Sequence, residues 1–434
     1  MLASAVSTES ENLKQNPLQP WLVCLSAALF FFYEFIQMGM FNSLGPDLMR
    51  DFSINAAQLG NLSATYFYGD VTFLFFAGMM LDRFSTRKII LSAMVLCVSA
   101  TVVFAISSSA FIAGLCHYIA GIGNAFCFLS CIKLASRWFP SNRMALIVGI
   151  TVTIAMAGGA VAQTPLTLLS QAVGWRQAVL LDAGLGALIV GLVWYFVQDE
   201  PKKSANQLDH ASSSIKPSLK ESVMFALTNK QNWLGGLYTC FLNLPIFLLG
   251  ELWGVMYLTQ VRMIPRTDAS IITSMLFIGT IIGSPIAGWL SDRLSKRRFP
   301  MIVGAVCSLV VILMIMLPST LSFTSLLILF LALGFFTSTQ IISYPAITES
   351  NPKAFTGTSV GLASVLIMGS GAIFQPLFGW LMDLHWDGKL IDGMAIYSAH
   401  AFSYGMAIMP IAFIIGLAAA IWLRETNCQP YESK

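Results

Sequence analysis

Charge is what this sequence has least of. Asp, Glu, Lys and Arg make up 10% of its 434 residues, against about 25% in an ordinary soluble domain. A chain so poor in charge cannot cover a water-facing surface, which excludes a soluble globular protein of this length. Histidine is nearly missing too. His117, His210, His385 and His400 are the whole complement and form no cluster in the sequence, so no histidine metal site or catalytic cluster is expected. There is no glycine-rich phosphate loop, no nucleophile elbow and no hydrophilic stretch long enough for an extramembrane domain. These absences argue against an ATP-driven pump, a membrane-bound enzyme and a receptor. Of the eight cysteines, only Cys428 lies outside apolar runs, the placement of small buried hydrophobes rather than of a disulfide framework. Cys127 and Cys131 are one helical turn apart but have no second ligand pair. No metal, cofactor or nucleic-acid partner is expected.

What is abundant is apolar sequence, at 56% of the chain. Runs near the ~20 residues that cross a bilayer core as helix recur at 20–44, 57–81, 88–107, 110–136, 144–170, 177–197, 232–259, 269–291, 300–317, 322–347, 356–383 and 398–423. The expected fold is all-α and polytopic, with twelve transmembrane helices. The one long polar insertion, DEPKKSANQLDHASSSIKPSLKES at 199–222, divides them into two sixes. The expected organisation is an N-terminal tail at 1–19, a bundle at 20–197, a linker at 198–231, a second bundle at 232–423 and a tail at 424–434. The first 18 residues, polar and mixed in charge, do not read as a signal peptide. Of the 24 Lys and Arg residues, all but Arg50, Arg176, Arg262, Arg266 and Lys389 fall on the side of the two termini. By the positive-inside rule the termini are cytoplasmic.

The two halves repeat. GMMLDRFSTRK (78–88) follows the second span and GWLSDRLSKRR (288–298) the eighth. Gly78, Asp82, Arg83, Ser85 and Arg87 match Gly288, Asp292, Arg293, Ser295 and Arg297 at a constant offset. Further back, Phe67, Gly69 and Ala77 match Phe277, Gly279 and Ala287. Two copies in the same orientation indicate a parallel duplication.

The loop G-x-x-x-D-R-x-x-x-R-[KR], its second copy, and twelve spans around a basic linker resemble the major facilitator superfamily over essentially the whole chain. The resemblance implies two six-helix bundles related by a pseudo-two-fold axis, and transport by alternating access. In that family the loop aspartate and arginines hold the bundles together while the carrier faces outward. This implies a conformational latch, not a substrate site, for Asp82, Arg83 and Arg87 and for Asp292, Arg293 and Arg297. Gly78 and Gly288 would allow a neighbouring helix to approach. YFYGDVTFLFFAGMMLDRFSTRK, KLASRWFPSNR and ELWGVMYLTQ look like a branch of bacterial phagosomal amino-acid transporters, lysosomal dipeptide carriers and siderophore carriers.

Ionisable residues at bilayer depth are costly and mark transport pathways. Glu34 lies about 20 Å into the first span, and Asp70 about 18 Å from Asp82, at 1.5 Å per residue. Glu251 is deep in the seventh span. Glu34, Gln37 and Phe41 share one helix face, as do Tyr66 and Asp70, and Asn243, Phe247 and Glu251. With Gln340, Tyr344, Gln375 and Lys133 they read as an amphiphilic central cavity. Glu34 and Asp70 read as a coupled proton-binding pair. The duplicate positions hold Leu244 and Thr280, so these acids are not part of the repeated scaffold. Other readings stay open: Glu34 as a protonated acid bonded to a tyrosine with no part in transport, Lys133 snorkelling to the membrane face, His117 as a packed histidine. The expected function is proton-coupled uptake of an amino acid or short peptide through a bacterial inner membrane by a monomer. A polycarboxylate siderophore and drug efflux are the alternatives.

Overall fold

A computed structural model describes residues 18–140, 143–200, 219–317, 321–352, 354–391 and 394–429, with the side chains of Phe75, Asp82, Ala145, Leu219 and Met394 set aside. Residues 1–17 of the expected N-terminal tail, 430–434 of the expected C-terminal tail and 201–218 of the linker lie outside the described residues. All twelve expected spans are helices. In the N bundle they are α1 (Gln19–Phe52), α2 (Ala56–Arg83), α3 (Thr86–Ile106), α4 (Ala110–Trp138), α5 (Leu146–Val173) and α6 (Trp175–Phe196). In the C bundle they are α7 (Lys230–Gln260), α8 (Arg266–Leu294), α9 (Arg298–Met316), α10 (Phe323–Glu349), α11 (Thr356–Leu384) and α12 (Ala399–Trp422). Eleven are long and apolar enough to cross a membrane by length and composition. The remaining one, α2, has 28 residues, or roughly 42 Å of rise, and carries Tyr66, Tyr68 and Asp70 in its middle. A short helix, Leu219–Thr228, precedes α7, and Leu390–Ile391 pairs with Met394–Ala395 as a two-stranded ladder between α11 and α12.

Five helices depart from regular geometry, one of them α12, which is interrupted at Ala407. α1 continues through Pro46 to Phe52, eight residues past the expected end. α5 is interrupted at Ala162–Gln163 ahead of Pro165. In α7, Pro245 is followed by a π-helical segment, Ile246–Trp253. α10 tightens into a 3₁₀ turn at Ser338–Ile342. Proline removes a backbone donor, and π segments concentrate at functional sites.

The repeat seen in the sequence is a repeat of packing. A Cβ on Gly69 would overlap the Tyr118 carbonyl of α4, and one on Gly121 of α4 would overlap the Tyr66 carbonyl of α2. The C bundle has the same reciprocal crossing, between Gly279 of α8 and Leu331, and between Gly334 of α10 and Leu276. Small residues let membrane helices touch backbone to backbone. Gly279→Val should therefore force α8 from α10 and cost more than about 3 kcal/mol, the overpacking range and beyond. Thermal unfolding in detergent checks this, with Gly184→Ala, at a position with open space, as the neutral control.

The bundles meet on one face only. Call the face holding the start of α1 and the end of α12 terminal, and the other distal. Among the described residues, every hydrogen bond and ion pair joining the bundles lies on the distal side of, or within, a central layer. That layer is made by Phe67 against Phe247 (4.9 Å) and Gly371, Phe277 against Gly159, and the Tyr68 hydroxyl donating to the Ala372 carbonyl (3.2 Å). Phe67 and Phe277, matched in the repeat, each plug onto a glycine of the opposite bundle. Towards the terminal face, added Cβ atoms at Gly78, Gly149, Gly288, Gly357, Gly361 and Gly369 meet nothing within 4 Å. The helices that would meet there are apart, so the close approach expected at Gly78 and Gly288 is not made in this conformation.

Candidate functional site

The distal closure is built from side chains that complete each other's backbones. Within the π segment of α7 and just past its end, the carbonyls of Leu249 and Gly250 and the Val255 N–H take partners from the N bundle. Asn42 of α1 donates to both carbonyls (3.2 and 3.1 Å) and accepts from Val255 (2.9 Å). Gln163, at the break in α5, donates to Gly250 (2.7 Å) and accepts from Asn42 and Thr273. Further out, Arg266 of α8 pairs with Asp47 of α1 (2.7 Å) and donates to the Ser43 carbonyl. Asp383 of α11 caps α2 of the other bundle, accepting from Ala56 (3.3 Å) and Ala57 (2.8 Å), while Tyr397 donates to it (2.5 Å). A carboxylate at a helix N-terminus is favoured by the helix dipole.

One to two turns on the terminal side of the central layer, the C bundle presents neutral polar groups. Gln340 donates to Asn243 (2.7 Å). Tyr344 is partly exposed one turn further along. Gln375 instead lies within the closed layer, fully buried, its amide donating to the Phe247 carbonyl (2.9 Å). Asn243, Gln340 and Tyr344 are thus brought together where the bundles part.

The acids are placed differently from expectation. Glu34 has no exposed surface. Its Oε2 and its carbonyl accept from the Tyr66 hydroxyl (3.1 and 3.2 Å), and its Oε1 lies against Gly123 of α4 with no hydrogen-bond partner among the described residues. Asp70 is buried beside Asn124. Gln37 donates to Asp182 of α6 (2.5 Å) and accepts from Thr101 of α3 (3.0 Å). The face carrying Glu34, Gln37 and Phe41 therefore points into the N bundle, not into a cavity between the bundles. Helical spacing identified the shared face but could not say which neighbour it meets. Tyr66 is buried there too, its ring 5.2 Å from that of His117, which packs on Phe41 (4.5 Å). Glu251, in the π segment, is fully buried with neither carboxylate oxygen partnered among the described residues.

Lys133 is withdrawn from the centre. Its ammonium reaches the Leu81 carbonyl near the terminal end of α2, so it belongs to the membrane face, as its nearness to Arg137 allowed. The loop residues likewise act within their own bundles here. Arg87 donates to the Trp194 carbonyl (2.5 Å), and its backbone N–H to Asp199 (2.9 Å). Arg297 pairs with Asp292 and Glu349 (both 2.6 Å). Burial opposes its charge, but the two carboxylates outweigh that and hold its pKa above the usual arginine value. Arg83 is exposed, and Arg293 lies over the Trp289 ring (5.1 Å). The Asp82 side chain lies outside the described residues.

Sequence reasoning missed Asp182, Asn42, Gln163 and Asp383. Asp182 carried the same signal as Glu34, a lone acid in an apolar run (VLLDAGLGAL). The amides carried none, because uncharged residues in a span announce no partner.

Comparison with known proteins agrees with the architecture. The Major Facilitator Superfamily model matches residues 27–376 and 252–430. A probable sulfoacetate transporter, SauU of Cupriavidus necator, is 23% identical over 374 residues, covering 82% of this chain and 85% of its own. A gentisate transporter of Corynebacterium glutamicum is 24% identical over 389 residues, covering 86% and 85%. A crystal structure of a bacterial homologue of the human lysosomal transporter Spinster, inward-facing and occupied, superposes with a TM-score of 0.74 at 18% identity, covering 94% of this chain and 97% of that one. The two relatives named here are described as transporters, not enzymes, and the chain belongs to the Major Facilitator Superfamily of multi-pass membrane proteins.

Proposed function

We propose that this protein is a proton-linked secondary transporter for a small polar organic solute without net negative charge, with an amino acid or short peptide as the preferred class. The observation that carries this reading is the character of the groups at bilayer depth. Glu34, Asp70, Asp182 and Glu251 are carboxyl groups, no lysine or arginine shares their depth, and neutral Asn243, Gln340 and Tyr344 stand where the bundles part. Sulfoacetate and gentisate, the solutes in the relatives' names, are organic anions, and those names lend no support to an amino acid or peptide. An anion reaching the centre of this chain would find no cation to meet it. An ionised carboxylate buried without a counter-charge costs far more than a neutral one, so the buried acids are suited to carrying protons. Glu34 and Glu251 both have carboxylate oxygens with no hydrogen-bond partner among the described residues. Glu34 is the chosen proton site because Asp70 and Asp182 stand near enough to act on it, and of these Asp182 is served by Gln37 and Asp70 lies beside Asn124. Asp70 is its coupled neighbour.

The basic loops favour a cytoplasmic terminal face, in a bacterial inner membrane, with a monomer as the working unit. On that reading the conformation described is inward-facing. The latch would engage in the opposite conformation, when the terminal ends of the helices close.

The test is purified protein screened by thermal shift against amino acids, dipeptides, nucleosides, ferric siderophores, gentisate and sulfoacetate, followed by solute-linked proton flux in proteoliposomes. A solute binding only the folded state at 100 times its Kd raises stability by about 2.7 kcal/mol. Stabilisation by a neutral or zwitterionic solute with proton entry is expected. Stabilisation by the anions alone, or flux without protons, overturns the reading. Labelling of Ser212→Cys by an impermeant maleimide in intact cells would reverse the orientation.

A further inference from the structure

A groove runs along the outside of the N bundle, and of its lining the transport reading uses only Arg83, in the latch of the opposite conformation. It has a volume of about 560 Å³ and lies between α2, α3 and α4 at the terminal face. Its walls are Phe73 and Met80 of α2, the stripe Ile89, Ala93 and Leu96 on α3, and Ile122 and Phe126 of α4. Two cations, Arg83 and Lys88, stand at its mouth, both exposed.

The chemistry of this groove is divided by depth. From Lys88 to Leu96 is eight residues, or roughly 12 Å of helix rise, close to half of a ~30 Å hydrocarbon core. The groove therefore spans one leaflet, charged at the headgroup level and apolar below it. Ser92, exposed one turn beneath Lys88, stands at the level of a lipid's ester linkages.

The nearby cations are already engaged, whereas those at the mouth are not. Arg87 serves Trp194, and Arg137 lies 3.9 Å from Glu200. Among the described residues, no ion pair or side-chain hydrogen bond is made by Arg83 or Lys88. A second groove, about 430 Å³, lies between α2 and α4 near the distal face, and its polar lining residues are Gln58, Asn61, Thr65 and Tyr118, none of them charged. The same pair of helices thus offers one charged groove and one neutral one, in opposite leaflets.

We propose that the terminal-face groove is a binding site for an anionic glycerophospholipid. Its phosphodiester is held by the Arg83 guanidinium and the Lys88 ammonium, and one acyl chain lies along Ile89, Ala93 and Leu96. Arginine suits a phosphate through paired N–H donors, and lysine as a point charge. Basic pockets between membrane helices recognise anionic headgroups in this way. The inner wall is one glycine thick. A Cβ on Gly123 would come within 2.6 Å of Glu34 Oε1, so the acyl chain also keeps water from the back of that carboxyl group.

The test is lipid titration of the full-length protein by native mass spectrometry, with phosphatidylglycerol and phosphatidylcholine of matched chains. The protein should bind phosphatidylglycerol at least about tenfold more tightly, from about fivefold per cation near an anionic headgroup. Arg83→Ala with Lys88→Ala should erase that preference and leave phosphatidylcholine binding unchanged. Ser92→Trp, which fills the groove from an exposed position, should weaken phosphatidylglycerol binding with both cations intact. It carries the test if the double variant fails to fold. Equal binding of the two lipids by the unaltered protein overturns the proposal, as does a preference that survives either variant. Displacement of phosphatidylglycerol by millimolar inorganic phosphate would reduce the site to an anion site and also overturn it.

Discussion

Glu34→Gln should abolish solute uptake driven by a pH gradient and leave solute exchange without a gradient at half the wild-type rate or more. The amide matches the carboxyl in size and can still accept from Tyr66, so the α1–α2 contact survives. What it cannot do is gain and lose a proton. Removing a gradient-coupled proton site eliminates the coupled flux outright, so solute-linked proton flux in proteoliposomes should fall below detection. Asp70→Asn should share part of this phenotype, because close carboxylates titrate together. Asp182→Asn separates the possibilities within the bundle. If flux is normal in Glu34→Gln but absent in Asp182→Asn, the proton travels on the Gln37–Asp182 pair. Normal flux in all three places it on another group, with Glu251 next in line.

The second large effect concerns the distal closure. Arg266→Ala combined with Asp383→Ala removes an ion pair between α8 and α1 and the cap that α11 places on α2. A helix cap contributes about 1 kcal/mol, and a partly buried, hydrogen-bonded ion pair about as much or more. Losing both should move the equilibrium roughly 30-fold or more towards a distal-open state, at tenfold per 1.4 kcal/mol. Spin labels at Ala172→Cys and Lys389→Cys, both exposed on the distal side of opposite bundles, should report longer distances in the double variant. The network of Asn42 and Gln163 remains in place, so the protein should still fold. An unchanged distance distribution would mean that the amide network alone keeps the face closed.

Much of the fold was legible because its signals are local. Span length, the basic loops and the paired motifs at Asp82 and Asp292 each follow from residues near one another in the chain. The repeat was legible for a deeper reason: Gly69 and Gly279, and Phe67 and Phe277, occupy equivalent packing positions in the two halves, and packing restricts which residues fit. The site was less legible. Period and depth put Glu34 and Gln37 on one face of α1 but could not say that the face meets α3, α4 and α6 rather than the other bundle. The depth of Lys133 was likewise ambiguous until the end of α2 was seen to receive its ammonium. Asn42 and Gln163 serve carbonyls within a π segment, and no pattern in one sequence marks that segment beyond the proline before it.

The exclusion of lysine and arginine from bilayer depth has an electrical consequence. With a proton and a neutral or zwitterionic solute aboard, the deep carboxyl group is uncharged, and reorientation of the loaded carrier moves little charge through the field. On the proposed mechanism the proton leaves on the cytoplasmic side, and the empty carrier then returns with a negative charge in its core. Displacing one charge through the whole potential is worth about 2.3 kcal/mol per 100 mV. An interior-negative membrane therefore favours the outward return of that carboxylate. On the proposed mechanism, voltage speeds the unloaded half of the cycle, and the electrical driving force is applied after the solute has already been delivered.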